Sequence, residues 1–159
     1  MFNIVLVHPQ IPQNTGSIGR ICVNTDSKLH IIKPTCFEIS DKNVKRAGLD
    51  YWHLLDLTVW ESLDDFMAAN VPHLNRFFFA TTKSKLPYFD AKMKDGDFLF
   101  FGGESTGLPM DLMQKNWNHA ITIPMGTHGR SLNQSVAVGI VLYDAIRQNF
   151  KELEAFENF

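Results

Sequence analysis

Six short apolar runs, at residues 3–7, 29–32, 54–60, 76–81, 97–102 and 120–123, are each bounded by Pro, Gly, Asn or Asp. Such runs are the signature of strands buried on both faces. Helix-like segments lie between them. Ile18, Ile21, Cys22 and Thr25 share one helical face, and Ser62 with Asp65 resembles a capping box that opens a helix through Ala69. Strands that are almost wholly apolar, alternating with helices, predict an α/β fold: a mostly parallel six-stranded sheet flanked by helices. The last helix is predicted from near Asn133 to about Phe150, with Val136, Ile140, Tyr143, Ile146 and Phe150 on one stripe. It is the longest and most apolar element. It suits either burial all round or packing on the sheet with one side and on a second subunit with the other. The acidic tail, 151–159, is expected to fray.

With 159 residues, 45% of them hydrophobic, the chain has the size and composition of a single globular domain spanning 1–159. No basic, long-apolar, small-residue order marks a signal peptide at the amino terminus. The longest apolar stretch, 136–143, contains Gly139 and falls far short of the roughly 20 residues a bilayer span needs. A cytoplasmic protein without a membrane segment is expected. Cys22 and Cys36 form neither a CxxC pair nor a disulfide framework and are read as reduced thiols. The six histidines are scattered without HExxH or a close cluster, so no metal is expected. The net charge of −2 speaks against a strongly basic nucleic-acid face. Its distribution is uneven: residues 1–50 carry six Lys/Arg against four Asp/Glu, and the remainder nine against thirteen.

Three glycine-containing segments would lie at strand ends, where open α/β sheets bind ligands. The first contains Pro12, Asn14, Gly16, Gly19 and Arg20; Asn14 or Thr15 is expected to cap a helix that turns Arg20 toward a pocket. The second runs from the strand ending at Phe101 through Gly102, Gly103, Glu104, Gly107 and Pro109. Its small residues allow backbone to approach a ligand. Lacking the Lys-Ser/Thr of a P-loop and the GxGxxG turn, it disfavours ATP and NAD. Glu104 suits a helix N-terminus or a ligand hydroxyl equally well. The third passes from Ile123 and Met125 through Ser131, Leu132 and Asn133 into the long helix, a mixed polar and apolar cradle suited to adenosine.

In order, these segments resemble the three motifs of the SPOUT, or trefoil-knot, superfamily of RNA methyltransferases. In detail they are similar to its small tRNA wobble-nucleotide (cytidine or uridine, position 34) 2′-O-methyltransferases. The most specific parts are Asn14-Thr15-Gly16 with Arg20, then Phe101-Gly102-Gly103-Glu104 with Gly107-Leu108-Pro109, then Ile123-Pro124-Met125 with Ser131 to Ala137. Two positions depart from the pattern: Gly103 stands where many relatives have proline, and Asp26 where a glycine commonly closes the first helix.

The resemblance implies a deep C-terminal trefoil knot that binds S-adenosylmethionine and releases S-adenosylhomocysteine. By position, the cofactor would be held by Ala80, Thr81, Gly102, Glu104, Ile123, Met125, Ser131 and Leu132. It also implies a homodimer packed through the first and last helices, with Arg20 as the catalytic residue near the partner's cofactor. Because guanidinium keeps its proton in proteins, Arg20 is read as stabilising a developing ribose alkoxide or holding the adjoining phosphate, with a phosphate oxygen or water taking the proton. Candidate RNA contacts are Asn14, Arg46 and Tyr143, with Tyr51 beside them. The alternatives are a 2′-O-methyltransferase for another tRNA or rRNA ribose, and a non-catalytic RNA- or nucleotide-binding module of the same fold.

Overall fold

A computed structural model describes residues 1–39 and 51–157. Six strands, β1 (Asn3–Val7), β2 (Lys28–Ile32), β3 (Leu57–Trp60), β4 (Phe77–Ala80), β5 (Phe98–Gly102) and β6 (Ala120–Ile121), form one sheet. Their order is β3-β2-β1-β5-β4-β6, and every pairing is parallel. Each predicted run holds a strand, with two notable trims. Residues 52–54 wind into a 3-10 turn, because Leu54 N bonds to Tyr51 O and Leu55 N to Trp52 O, which withdraws those amides from the ladder. At the far edge β6 stops at Ile121, since Thr122 N turns to Leu86 O.

The two-residue period of the strands sorts the core into two layers. Ile4, Leu6, Leu29, Ile31, Leu99 and Phe101 face one side, which is covered by α1 (Pro12–Asn24) and the long α4 (Gln134–Asn149). Val5, Val7, Phe77, Phe79, Phe98 and Phe100 face the other, covered by α2 (Leu63–Ala69) and α3 (Met110–Asn116). On that second side Phe66 of α2 meets Phe98 and Phe100 edge-on, with ring centroids 6.0 and 5.6 Å apart. Each such fully buried ring stabilises the fold by about 2 kcal/mol through removal from water.

Helix starts match expectation at two places and depart at a third. Ser62 Oγ accepts from Asp65 N at 3.1 Å, and Asn133 caps α4 by accepting from Ser135 N and Val136 N. The first helix is not capped by Asn14 or Thr15. It begins at Pro12, pre-set for a first helical position, so both residues fall inside it and are buried. Its closing residue Asp26 has φ 47°, the left-handed conformation that explains why glycine suits this position.

The stripe predicted on α4 is not its core face. Val138, Val141, Leu142, Ala145 and Asn149 are buried, whereas Val136, Tyr143 and Phe150 are exposed and, of the stripe, only Ile146 is buried. The helix is therefore buried on one side only in the single chain. The tail, expected to fray, docks as far as it is described: Leu153 joins the core, and Phe156 stacks on Phe150 at 5.5 Å. Cys22 is buried and Cys36 exposed, both free. Burial pushes the Cys22 thiol well above its usual range. No helix among the described residues is long and apolar enough to cross a membrane.

Candidate active site

The chain order reverses between β1 and β5, where β2 lies to one side and β4 to the other. A crevice outside the carboxyl ends of the strands is expected there. A cleft of about 600 Å³ opens at this edge, within the size range of small-molecule sites. Ala80 and Thr81 enter it from the end of β4, Gly102 and Glu104 from the end of β5, and Ile123, Met125, Ser131 and Leu132 from the segment joining β6 to α4. All eight positions expected at the cofactor thus line one cleft, and Asn14 joins them from α1.

Backbone geometry explains how these segments reach one place. Thr81 N bonds to Ile121 O at 2.9 Å, which carries the β4 end alongside β6. At Gly102 a Cβ would lie 2.0 Å from the Gly107 carbonyl carbon. Only glycine permits the loop 103–107 to fold back so closely, and Gly107 N closes that loop by donating to Gly103 O at 2.8 Å. On the third side Gly129 N bonds to Gly126 O, a tight turn that returns the chain toward Asn133.

A polar network joins the three segments. The Glu104 carboxylate accepts from Gln10 N at 2.8 Å and Ile11 N at 3.2 Å. It thereby fastens the two residues that lead into α1, and places a negative charge near the positive end of the helix. Glu104 also accepts from Asn14 Nδ2 at 3.0 Å, while Asn14 Oδ1 accepts from Asn133 Nδ2 at 2.9 Å. Gln134 Nε2 donates to Gly102 O at 2.7 Å. Of the two roles open to Glu104 in the sequence, holding a helix start is directly visible.

Other expected residues fall elsewhere. Arg20 is exposed on α1 and does not line the cleft of its own chain; its guanidinium lies over the Tyr51 ring, with Cζ 4.8 Å from the centroid. Asn14 is buried at the cleft and its amide is committed at both ends. Tyr143 is exposed on α4, away from the cleft lining. Arg46 lies outside the described residues. The sequence reading missed further lining residues, Met110, Met113, Trp117 and Lys83. The spacing of those three apolar residues after Pro109 was the available signal, and it reads equally well as core.

Comparisons with known proteins identify the family and the fold. Residues 1–143 match the model of the SpoU rRNA Methylase family. The tRNA (cytidine(34)-2′-O)-methyltransferase of Burkholderia ambifaria is 40% identical, over 93% of this chain and 96% of that protein. A solved structure described as giving structural insights into the 2-OH methylation of C/U34 on tRNA superposes with a TM-score of 0.90. It is 38% identical and the match covers 96% of this chain and 98% of that one. The fold is also that of the SpoU methyltransferase AviRb from Streptomyces viridochromogenes, solved in complex with AdoMet. There the TM-score is 0.83 at 21% identity, covering 94% of this chain and 60% of that one.

Proposed function

The chain belongs to the SpoU rRNA methylase family, and from that membership and the cleft we propose that it methylates the ribose 2′-hydroxyl of nucleotide 34, a cytidine or uridine, in tRNA. The observation that carries this reading is the convergence of three separated segments on one cleft at the switch point of the sheet. Relatives with nearly the same length and about 40% identity bear that activity in their names.

The cleft residues suit S-adenosylmethionine. Apolar Ile123, Met125, Leu132 and Ala137 alternate with the polar loop 102–104 and the end of β4, a pattern that matches the flat rings and polar edges of adenosine. When bound, this cofactor supplies a methyl group on a sulfonium, an electrophile that needs little further activation. The protein's work is to hold the ribose oxygen in line and to exclude water. Glu104, Asn14 and Asn133 lock the walls together, and Gln134 fixes the Gly102 carbonyl. Arg20 stabilises the oxygen as it loses its proton, or grips the adjoining phosphate, while a phosphate oxygen or water accepts that proton.

Arg20 does this in a partner's cleft. Its absence from its own cleft supports a homodimer, as do the exposed Val136 and Tyr143 on α4 and Phe150 at its end. The two helices pack side by side, with a Cβ at Gly139 lying 3.6 Å from Ile21 Cδ1, so the exposed apolar side chains of α4 adjoin the polar outer face of α1 that carries Arg20, and exposed apolar surface of this kind marks an interface. The trefoil knot belongs to the same proposal. The 81–97 connection is fastened to Thr122 through Leu86 and Tyr88 and to α4 through Met93, Gln148 and Asn149, so it lies against the C-terminal segment that a knot would thread. A tRNA substrate accords with a cytoplasmic location.

The test is incubation of the protein with labelled S-adenosylmethionine and total tRNA from a strain lacking it, followed by nuclease digestion and mass spectrometry. Label on the ribose of nucleotide 34 is expected. Label on a base, or on a ribose elsewhere in tRNA, overturns the assignment. Absence of cofactor binding would mark a non-catalytic module instead.

A further inference from the structure

We infer that Tyr51 is a positioning residue for Arg20, holding the guanidinium by its face so that its edge stays available to the ribose oxygen or phosphate. This rests on the reading of Arg20 given above, and two features of the fold support it independently of that reading. The first is the placement of the cation over the ring. Arg20 Cζ lies 4.8 Å from the centre of the Tyr51 ring, inside the range in which a cation is attracted to an aromatic face.

The second is the rigidity of the platform. Tyr51 opens the 3-10 turn Trp52–Leu54, closed by Leu54 N donating to Tyr51 O at 2.9 Å. That turn seats on α1 at the residue before Arg20: a Cβ at Gly19 would lie 2.9 Å from Trp52 Cζ3 and 3.3 Å from Leu55 Cδ2. Glycine at this position lets the Trp52 ring press against the helix backbone. The ring beneath the guanidinium is thereby tied to the helix that carries the guanidinium.

The chemistry of the pairing matters. A carboxylate partner would hold arginine by occupying its N–H donors, the groups that a ribose alkoxide or a phosphate must use. An aromatic face restrains the plane and leaves the donors at the edge unoccupied. Among the described residues no carboxylate forms an ion pair with Arg20. An exposed arginine freed from its ring samples many rotamers, and small misplacements of a reacting group are expensive in rate.

The experiment compares Tyr51→Phe, Tyr51→Leu and Arg20→Ala, as full-length protein, in steady-state kinetics with tRNA and in calorimetry with S-adenosylmethionine. Tyr51→Phe is expected to stay within about twofold of wild-type kcat, because the ring face is kept. Tyr51→Leu is expected to lose about tenfold in kcat with cofactor affinity and the KM for tRNA unchanged. In ¹⁵N spectra the Arg20 Nε–H resonance should carry a ring-current shift that Phe preserves and Leu removes, a readout that needs no turnover. Should the Leu protein not fold, by tryptophan emission and thermal melting, Tyr51→Met serves in its place. Full kcat in Tyr51→Leu overturns the inference, as does a Phe variant as impaired as Leu, or a raised KM for tRNA with kcat intact. Full turnover in Arg20→Ala would instead refute the reading of Arg20, a result distinguishable from all of these.

Discussion

Asn133 donates from Nδ2 to Oδ1 of Asn14 at 2.9 Å, joining residues 119 positions apart. Because Asn14 Nδ2 donates in turn to Glu104 at 3.0 Å, one buried amide links all three segments of the site. Its orientation is dictated by its partners, a donor on one side and a carboxylate acceptor on the other. The cleft walls are therefore coupled, and a change at Asn14 should be felt at the cofactor.

Replacing Asn14 by Asp keeps the shape but turns an oxygen toward the Glu104 carboxylate. Asn14→Ala leaves Asn133 and Glu104 each short of one partner, which should reduce stability by about 2 kcal/mol. Asn14→Asp adds like-charge repulsion and should be the more damaging of the two. Denaturant midpoints at pH 7 decide the order, and an Asp variant as stable as wild type would contradict the network.

At Gly102 the folded-back loop leaves no room for a methyl group, since the added Cβ would sit 2.0 Å from Gly107 C and 2.2 Å from Leu108 N. Gly102→Ala must push the loop 103–107 outward and with it Glu104. Overpacking of this kind destabilises by about 1–3 kcal/mol. The larger effect should be on the site, with saturable binding of S-adenosylmethionine lost in calorimetry while the far-ultraviolet circular dichroism of the sheet is retained. Unaltered affinity would refute the role given to this loop.

A third expectation concerns pH. Burial, reinforced by the Lys28 charge and partly opposed by Asp56, lowers the His30 pKa from 6.5 to about 4. The neutral ring is held between Trp60 Nε1–H, which donates to Nδ1 at 3.2 Å, and Asn3 Oδ1, which accepts from Nε2 at 3.2 Å. A proton on Nδ1 would face the indole N–H. Between pH 6.5 and 4 the unfolded chain therefore takes up a proton that the folded chain refuses. The stability contributed is fully present above pH 6.5 and drains as pH falls, by at most about 3 kcal/mol over the window. Unfolding followed from pH 7 to 4 should display this decline, and His30→Gln should flatten it. An equal slope in the variant would assign the titration elsewhere.

The legibility of these features in the sequence follows their physics. Parallel strands covered on both faces are apolar throughout, so β1, β2 and β5 could be read within a residue of their true ends. The site segments were legible because backbone that must approach a ligand or itself demands small residues, as at Gly102. Which side of α4 faces the sheet was not legible: the helix is apolar on both sides, and the stripe from Val136 to Phe150 has the same period as the buried one. The anchoring of the α1 entry by Glu104 was equally hidden, because it joins residues more than 90 positions apart. Arg20 was read toward a pocket from helix spacing alone, and its contact with Tyr51 depends on a turn, Trp52–Leu54, that begins before the strand expected from Leu54 and that no local signal marked.

The place of Arg20 yields the most discriminating expectation. If each arginine serves the partner's cleft, Arg20→Ala and Gly102→Ala homodimers are both inactive, the first for want of the arginine and the second for want of a cofactor site. A mixed dimer then has one complete site, formed by the cleft of the Arg20→Ala protomer and the arginine of the Gly102→Ala protomer. Each mixed dimer has one working site of two, so the purified mixed species should show about half of wild-type turnover, and a random mixture, half of whose dimers are mixed, about a quarter. If Arg20 served its own cleft, neither protomer of the mixed dimer would hold a complete site and mixing would recover nothing. Co-expression with two affinity tags, purification of the mixed species and a methyl-transfer assay separate the two arrangements. Sedimentation of a Val136→Asp, Tyr143→Asp protein as an inactive monomer that still binds the cofactor would place the interface on the exposed stripe of α4.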